Sequence, residues 1–101
     1  MAGSYDPDAK SVFTSTSLAQ VEWKNSSGGD WSDGGNWAGG SPPFASQDAL
    51  FNLPSTYIIR FADSETIHSF IHRDGAITLD LLGNSLNTEL VMDGTDATLD
   101  I

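Results

Sequence analysis

From Asp48 onward the chain alternates apolar and polar residues in short runs, broken by Asp, Asn and Gly. No stretch between 48 and 101 sustains apolar residues at i, i+3, i+4 and i+7 over the length of a helix, so the pattern predicts strands. Three apolar–charged–apolar triplets stand 20 residues apart: Ile59-Arg60-Phe61, Leu79-Asp80-Leu81 and Leu99-Asp100-Ile101. Flanking positions agree at the same spacing, Phe70 with Leu90, Ile71 with Val91 and Thr78 with Thr98. Alternation in a strand sends both apolar side chains of a triplet to one face and the charge to the other. A period near 20 with short strands in each period predicts coils that stack on copies of themselves. Stacked in that register, Arg60, Asp80 and Asp100 would form an outward ladder, attractive at its first step and repulsive at its second.

The segment 21–47, VEWKNSSGGDWSDGGNWAGGSPPFASQ, follows neither a strand nor a helix pattern. Turn residues dominate it, with Trp23, Trp31, Trp37 and Phe44 interleaved. The turn residues set the path and the aromatics supply the packing. Residues 1–20 are Ser/Thr-rich, with Val12, Phe13 and Leu18 as their candidate packing residues, and are expected to form a partly ordered arm. The division expected is therefore an arm at 1–20, a Trp/Gly-rich cap at 21–47 and coils at 48–101, cut in mid-repeat.

Composition narrows the functions open to such a fold. The chain has 101 residues, enough for one small domain, with 4 Lys plus Arg against 14 Asp plus Glu and a net charge of -10. Phosphate neutralisation, which drives nucleic-acid binding, is lacking, and anionic membranes are disfavoured on the same ground. With no cysteine, neither a disulfide framework nor a thiolate metal site can form. The polar stretch from Met1 to Lys10 lacks the apolar core of a secretory signal. An exported protein would have lost its signal or would carry one beyond Ile101.

Trp23, the run Gly29-Asp30-Trp31-Ser32-Asp33, Asn36-Trp37, Pro43 and Asp48-Ala49 resemble the opening motif of large bacterial surface proteins. There a W, a G-x-W-S/D, an N-W, a G-x-P and a D-x-A precede T-L-x-L-type repeats. Similar segments occur in autotransporter passenger domains, PEP-CTERM and adhesin-like proteins, and Hint-domain proteins of alphaproteobacteria. The resemblance covers about residues 21–101. It implies an all-β, right-handed parallel β-helix, a β-solenoid, whose first coil is covered by the aromatic segment. Its motifs speak for architecture and say little about ligand. The role expected is non-catalytic, structural and adhesive, at the cell surface or outside the cell, without a cofactor, with a surface polysaccharide or a host or cell-surface target as the candidate partners. Pro42-Pro43 before Phe44, and a long irregular coil between Phe51 and Asp74, depart from the pattern.

The residues that could carry chemistry have plainer roles open to them. His68 and His72 would face one way on a helix, but in a strand four residues separate them by roughly 13 Å, and the Glu of H-E-x-x-H is missing. Exposed or hydrogen-bonded histidines are expected instead. Asp30, Asp33 and Asn36 offer oxygens in a Gly-rich loop and are the only candidate calcium ligands, although their spacing of three does not match an EF-hand. Asx turns and caps are their default role. Asn25-Ser26-Ser27 matches a glycosylation acceptor of a kind common by chance. Trp31 and Trp37 could instead stack on sugar rings, as in a carbohydrate-binding β-sandwich, which would require antiparallel strands and exposed indoles. A polysaccharide-acting β-helix enzyme would need more coils and a groove of grouped acids. The leading expectation is a cap packed by Trp23, Trp31, Trp37 and Phe44, and a last coil that exposes Leu79, Leu81, Leu99 and Ile101 for self-association.

Overall fold

The computed structural model describes residues 20–101, so the arm with Val12, Phe13 and Leu18 lies outside the described residues. The described chain is mostly strand: β1 (Gln20–Glu22), β2 (Gly29–Asp30), β3 (Asp48–Arg60), β4 (Glu65–Asp80), β5 (Leu86–Met92) and β6 (Thr98–Asp100), with one 3-10 turn at Gly34–Asn36. All of the strand pairings are parallel and belong to one open sheet. Its order is β1-β3-β4-β5, with β2 also on β3 and β6 also on β4.

β3 and β4 are long because each runs through a bend and meets its neighbours on both sides of it. Before the bend, Asp48 to Phe51 pair with Ser69 to His72; after it, Thr56 to Arg60 pair with Ala76 to Asp80. Pro54, which has no N–H to give a ladder, falls in the unpaired stretch between Asn52 and Thr56. β5 and β6 repeat this division against β4, with Ser69 to His72 on Glu89 to Met92 and Ala76 to Thr78 on Thr98 to Asp100. β1 and β2 repeat it on the other side of β3. The Trp/Gly-rich segment is thus more than a lid: β1 at its start and β2 within it both pair with β3.

The 20-residue register holds where Ile59 meets Leu79, Arg60 meets Asp80, Phe70 meets Leu90 and Ile71 meets Val91. It fails at the last triplet. Leu99 pairs with Ile77 and Asp100 with Thr78, a spacing of 22, and Thr98 sits on Ala76, not on Thr78. The cause is bend length. The bend from Met92 to Thr98 is two residues longer than the one from His72 to Ala76 above which it stacks. The predicted repulsion between Asp80 and Asp100 therefore does not arise at paired positions. The ladder is instead Asp30, Arg60 and Asp80, a cation between two anions.

Glycines let the bends nest. A Cβ on Gly94 would overlap the Arg73 carbonyl, and one on Gly75 would overlap the Leu53 carbonyl while Gly75 holds φ at +90°. Gly83 has φ +85° but open space around it. Left-handed backbone costs a non-glycine residue ~1–2 kcal/mol, and overpacking a further ~1–3 kcal/mol. Gly75→Ala is therefore expected to lower stability by ~2–5 kcal/mol and Gly83→Ala by ~1–2 kcal/mol. Urea midpoints of the two variants measure this, and equal losses would mean that the bends do not nest as described.

Candidate functional site

The inward residues of the sheet build one apolar core in which aromatic rings of successive strands lie on one another. Trp31 stacks on Phe61 with centroids 5.0 Å apart, Phe51 on Phe70 at 4.3 Å, and Trp23 lies parallel to Tyr57 at 6.2 Å. Trp37 stands edge-on to both Trp23 and Trp31, at 5.0 and 4.8 Å. All three indoles are fully buried. The Trp37 Nε1–H donates to the Trp31 carbonyl at 2.7 Å and the Trp23 Nε1–H to the Asn25 carbonyl at 2.6 Å. Trp31 Nε1 is buried with no partner.

The sugar-platform reading of Trp31 and Trp37 is corrected by this packing, because a sugar needs a ring face and theirs are covered by each other, Phe51 and Phe61. Phe44 is corrected in the other direction. It is 69% exposed, outside the aromatic cluster. Its N–H donates to Gln47 Oε1 and its carbonyl accepts from the Gln47 N–H, a closed turn that aims the ring outward, while neighbouring Pro43 is the buried residue.

Asp33 and Asn36 fix the cap's path. Asp33 caps the 3-10 turn by accepting from the Gly35 N–H at 2.9 Å, an Asx arrangement. Asn36 is buried; its amide donates to the Asp30 carbonyl at 2.9 Å and its Oδ1 accepts from Asn25 Nδ2 at 2.8 Å. The Asn36 oxygen proposed as a calcium ligand is thus taken by Asn25. Asn25 Oδ1 in turn accepts from the Ser27 N–H, so the acceptor-motif asparagine is itself part of the cap.

At the far side of the sheet, Leu79, Leu81, Leu99 and Ile101 come together. With Phe70, Leu86, Thr88 and Leu90 they line an apolar hollow of about 140 Å³. Leu90 is 49% exposed and Ile101 75% exposed. No titratable group lines this hollow.

A polar group that the sequence reading passed over lies on the outward face. His68 Nδ1 is 2.7 Å from Asp48 Oδ1 and 3.1 Å from Ser69 Oγ, and Ser69 Oγ donates to Glu89 Oε1 at 3.1 Å. With the Ser69 proton given to Glu89, Ser69 accepts from the His68 N–H. A nucleophilic triad needs the carboxylate and the hydroxyl on opposite ring nitrogens. Here both sit at Nδ1, so Ser69 is not activated and the group ties strands together. The signal that would have found it is the repeat itself: Asp48 to His68, Ser69 to Glu89 and Arg73 to Asp93 are all contacts across 20 residues.

Three titratable groups are shifted. Burial, helped by Asp74, pushes the Tyr57 phenol well above its ordinary value. Burial and then the Asp63 charge raise Glu65. Burial lowers His72, which lies inward beside Phe70, against smaller opposing effects of Gly75 and Asp74. Comparison of the chain with protein-family models, curated proteins and solved structures found no match.

Truncating a fully buried aromatic loses both its transfer free energy and the packing around the hole it leaves, so Trp31→Ala and Trp37→Ala are each expected to cost ~3–5 kcal/mol. Phe44→Ala, at an exposed turn, should change stability by less than about 0.5 kcal/mol. Denaturant midpoints read all three, and the parent's indole emission should be blue-shifted and protected from quencher. Parent-like unfolding of both Trp variants would mean that the cap does not hold the strands.

Proposed function

We propose that the chain is a structural and adhesive module without catalytic activity, a short right-handed parallel β-helix of a secreted or cell-surface bacterial protein. Its aromatic N-terminal segment closes one end of the stack and its last strands present the other. The observation that carries this reading is the hollow. Leu86 and Leu90 of β5 and Leu99 of β6 line one apolar space with Phe70 and Leu79 of the preceding turn of chain. Residues far apart along an extended chain converge in this way when the strand winds about a common axis. Parallel pairing of each turn on the next at spacings of 20 to 22 residues supports the same reading. The antiparallel sandwich finds no such support, since its strands would have to run oppositely.

Placement outside the cell or at its surface, toward a polysaccharide or another surface target, rests on the motif resemblance. The acidic composition and the absence of cysteine are compatible with it. The solenoid reading has a direct physical consequence. The outer edge of β5 and β6 carries a row of main-chain donors and acceptors beside an apolar hollow, and such an edge accepts another strand. In solution the 101-residue chain then associates through this edge, opposed by its net charge of -10. Salt shortens the reach of that repulsion to about 10 Å at 0.1 M. Light scattering should therefore show a mass rising with salt toward dimers or longer stacks, and the double variant Leu99→Asp, Ile101→Asp should stay monomeric. A parent that remains monomeric at high salt and high concentration, or a double variant that associates equally well, would defeat the proposal.

A further inference from the structure

His72 takes no part in the module proposed above, yet it is completely buried, on the inward side of β4 where the strand bends. Its Nε2 lies 2.9 Å from the Gly75 carbonyl oxygen, which can only accept, so the ring proton sits on Nε2. Nδ1 is then a buried acceptor with no donor. The site is closed on all sides. The Phe70 ring stands edge-on at 6.2 Å, Phe51 and Met92 are the register partners on either side, and the Asp93 N–H donates to the His72 carbonyl at 2.9 Å. Gly75 packs closely against the Leu53 and Ser55 carbonyls, so the closed bend is fitted to the strand beside it.

The position of the bend gives this residue leverage. β5 pairs with β4 as far as Met92 on His72, and β6 resumes the pairing with Thr98 on Ala76. His72 to Ala76 is therefore the link between the two strips on which the last strands rest. The charged and titratable groups around it are few. Asp74 belongs to the same strand; Tyr57 of β3 is buried and neutral; Arg73 and Asp93, paired at 2.9 Å, are both exposed. Asp74 Oδ1 accepts from the Gly75 N–H at 2.7 Å; His72 Nδ1 has no hydrogen-bond partner, and the Asp74 main chain and charge favour a second proton by less than burial opposes it.

We propose that His72 is an acid-operated latch: a second ring proton places an unmatched Nδ1–H and a positive charge in the core, and the bend from His72 to Ala76 opens, freeing Met92 of β5 and Thr98 of β6. A buried charge without a partner is far costlier than a buried neutral ring. The direction in pH follows. The closed form holds this proton less tightly than the open chain, where an imidazole titrates near 6.5. The latch is thus fully shut above that value, and its contribution is lost as pH falls from there toward the lower value of the closed form. Carboxylates take up protons mostly below about pH 5, Glu65 with its raised value apart, so the upper part of the window lies above their titration.

Amide hydrogen exchange at Gly75, Ala76 and Thr98, corrected for intrinsic rates, tests the latch together with an NMR titration of both imidazoles. Between pH 7.5 and 5.5 the open fraction at these amides should rise, approaching about tenfold per pH unit at the acid end. His68→Gln, which alters only the outward imidazole, should keep the rise, and His72→Leu should abolish it. The same rise in His72→Leu would overturn the proposal. So would a parent whose His72 ring gains its proton with no change in exchange at these amides, and this second measurement decides the matter even if His72→Leu fails to fold.

Discussion

Main-chain pairing between parallel strands fixes the distance between successive turns of this chain at about 4.8 Å, and the rest of the structure answers to that spacing. A ring thickness plus van der Waals contact nearly fills it, so inward aromatic residues on paired strands stack face to face. The Phe51–Phe70 and Trp31–Phe61 centroid distances of 4.3 and 5.0 Å lie on either side of it. The strands thereby satisfy their donors and acceptors and bury their largest side chains with a single geometry. Trp37, joined to Trp23 only by an isolated antiparallel bridge, turns edge-on and covers the others.

The same spacing governs the outward face. Side chains on paired positions are near neighbours whether their charges suit each other or not. The chain places Arg60 between Asp30 and Asp80 in register, ties Arg73 to Asp93, and joins Asp48, His68, Ser69 and Glu89 by hydrogen bonds. A chain with 14 acidic residues and 4 basic ones has few cations to distribute. Arg60 of the ladder stands beside an acid on each of its two neighbouring strands. Each exposed pair contributes little, a few tenths of a kcal/mol by itself. Their collective effect is on register, since a slip of one residue would turn every one of these groups toward the core.

The parallel strands and part of their register were legible in the sequence because alternation and the 20-residue recurrence are properties of inward side chains that pack alike. Ile59 on Leu79 and Phe70 on Leu90 follow from that alone. The last triplet misled because sequence spacing counts the residues in a bend, whereas pairing depends only on where the strands resume. Asp93 to Ala97 hold two residues more than Arg73 to Gly75, and similarity between Leu79-Asp80-Leu81 and Leu99-Asp100-Ile101 could not reveal that extra length. Phe44 misled for a related reason. Its apolarity says that burial would be favourable, but two prolines and the Gln47 turn fix the backbone first and leave the ring outside.

The two histidines of β4 show how position within the pleat decides chemistry. His68, on the outward side next to Asp48, is half exposed and meets a carboxylate through Nδ1. His72 is of the opposite kind, enclosed by rings and a main-chain carbonyl, with nothing to receive a second proton. The residue type and the spacing HxxxH are blind to this difference. The β4 bulge between Thr66 and Ser69 lies beside His68, so the two imidazoles are not placed by simple alternation, which would have put them on one face. Buried polar groups in a small core are expensive, and an apolar residue would fill the site of His72 at lower cost. A neutral imidazole there leaves the stack closed at neutral pH and gives it a defined point of failure in acid.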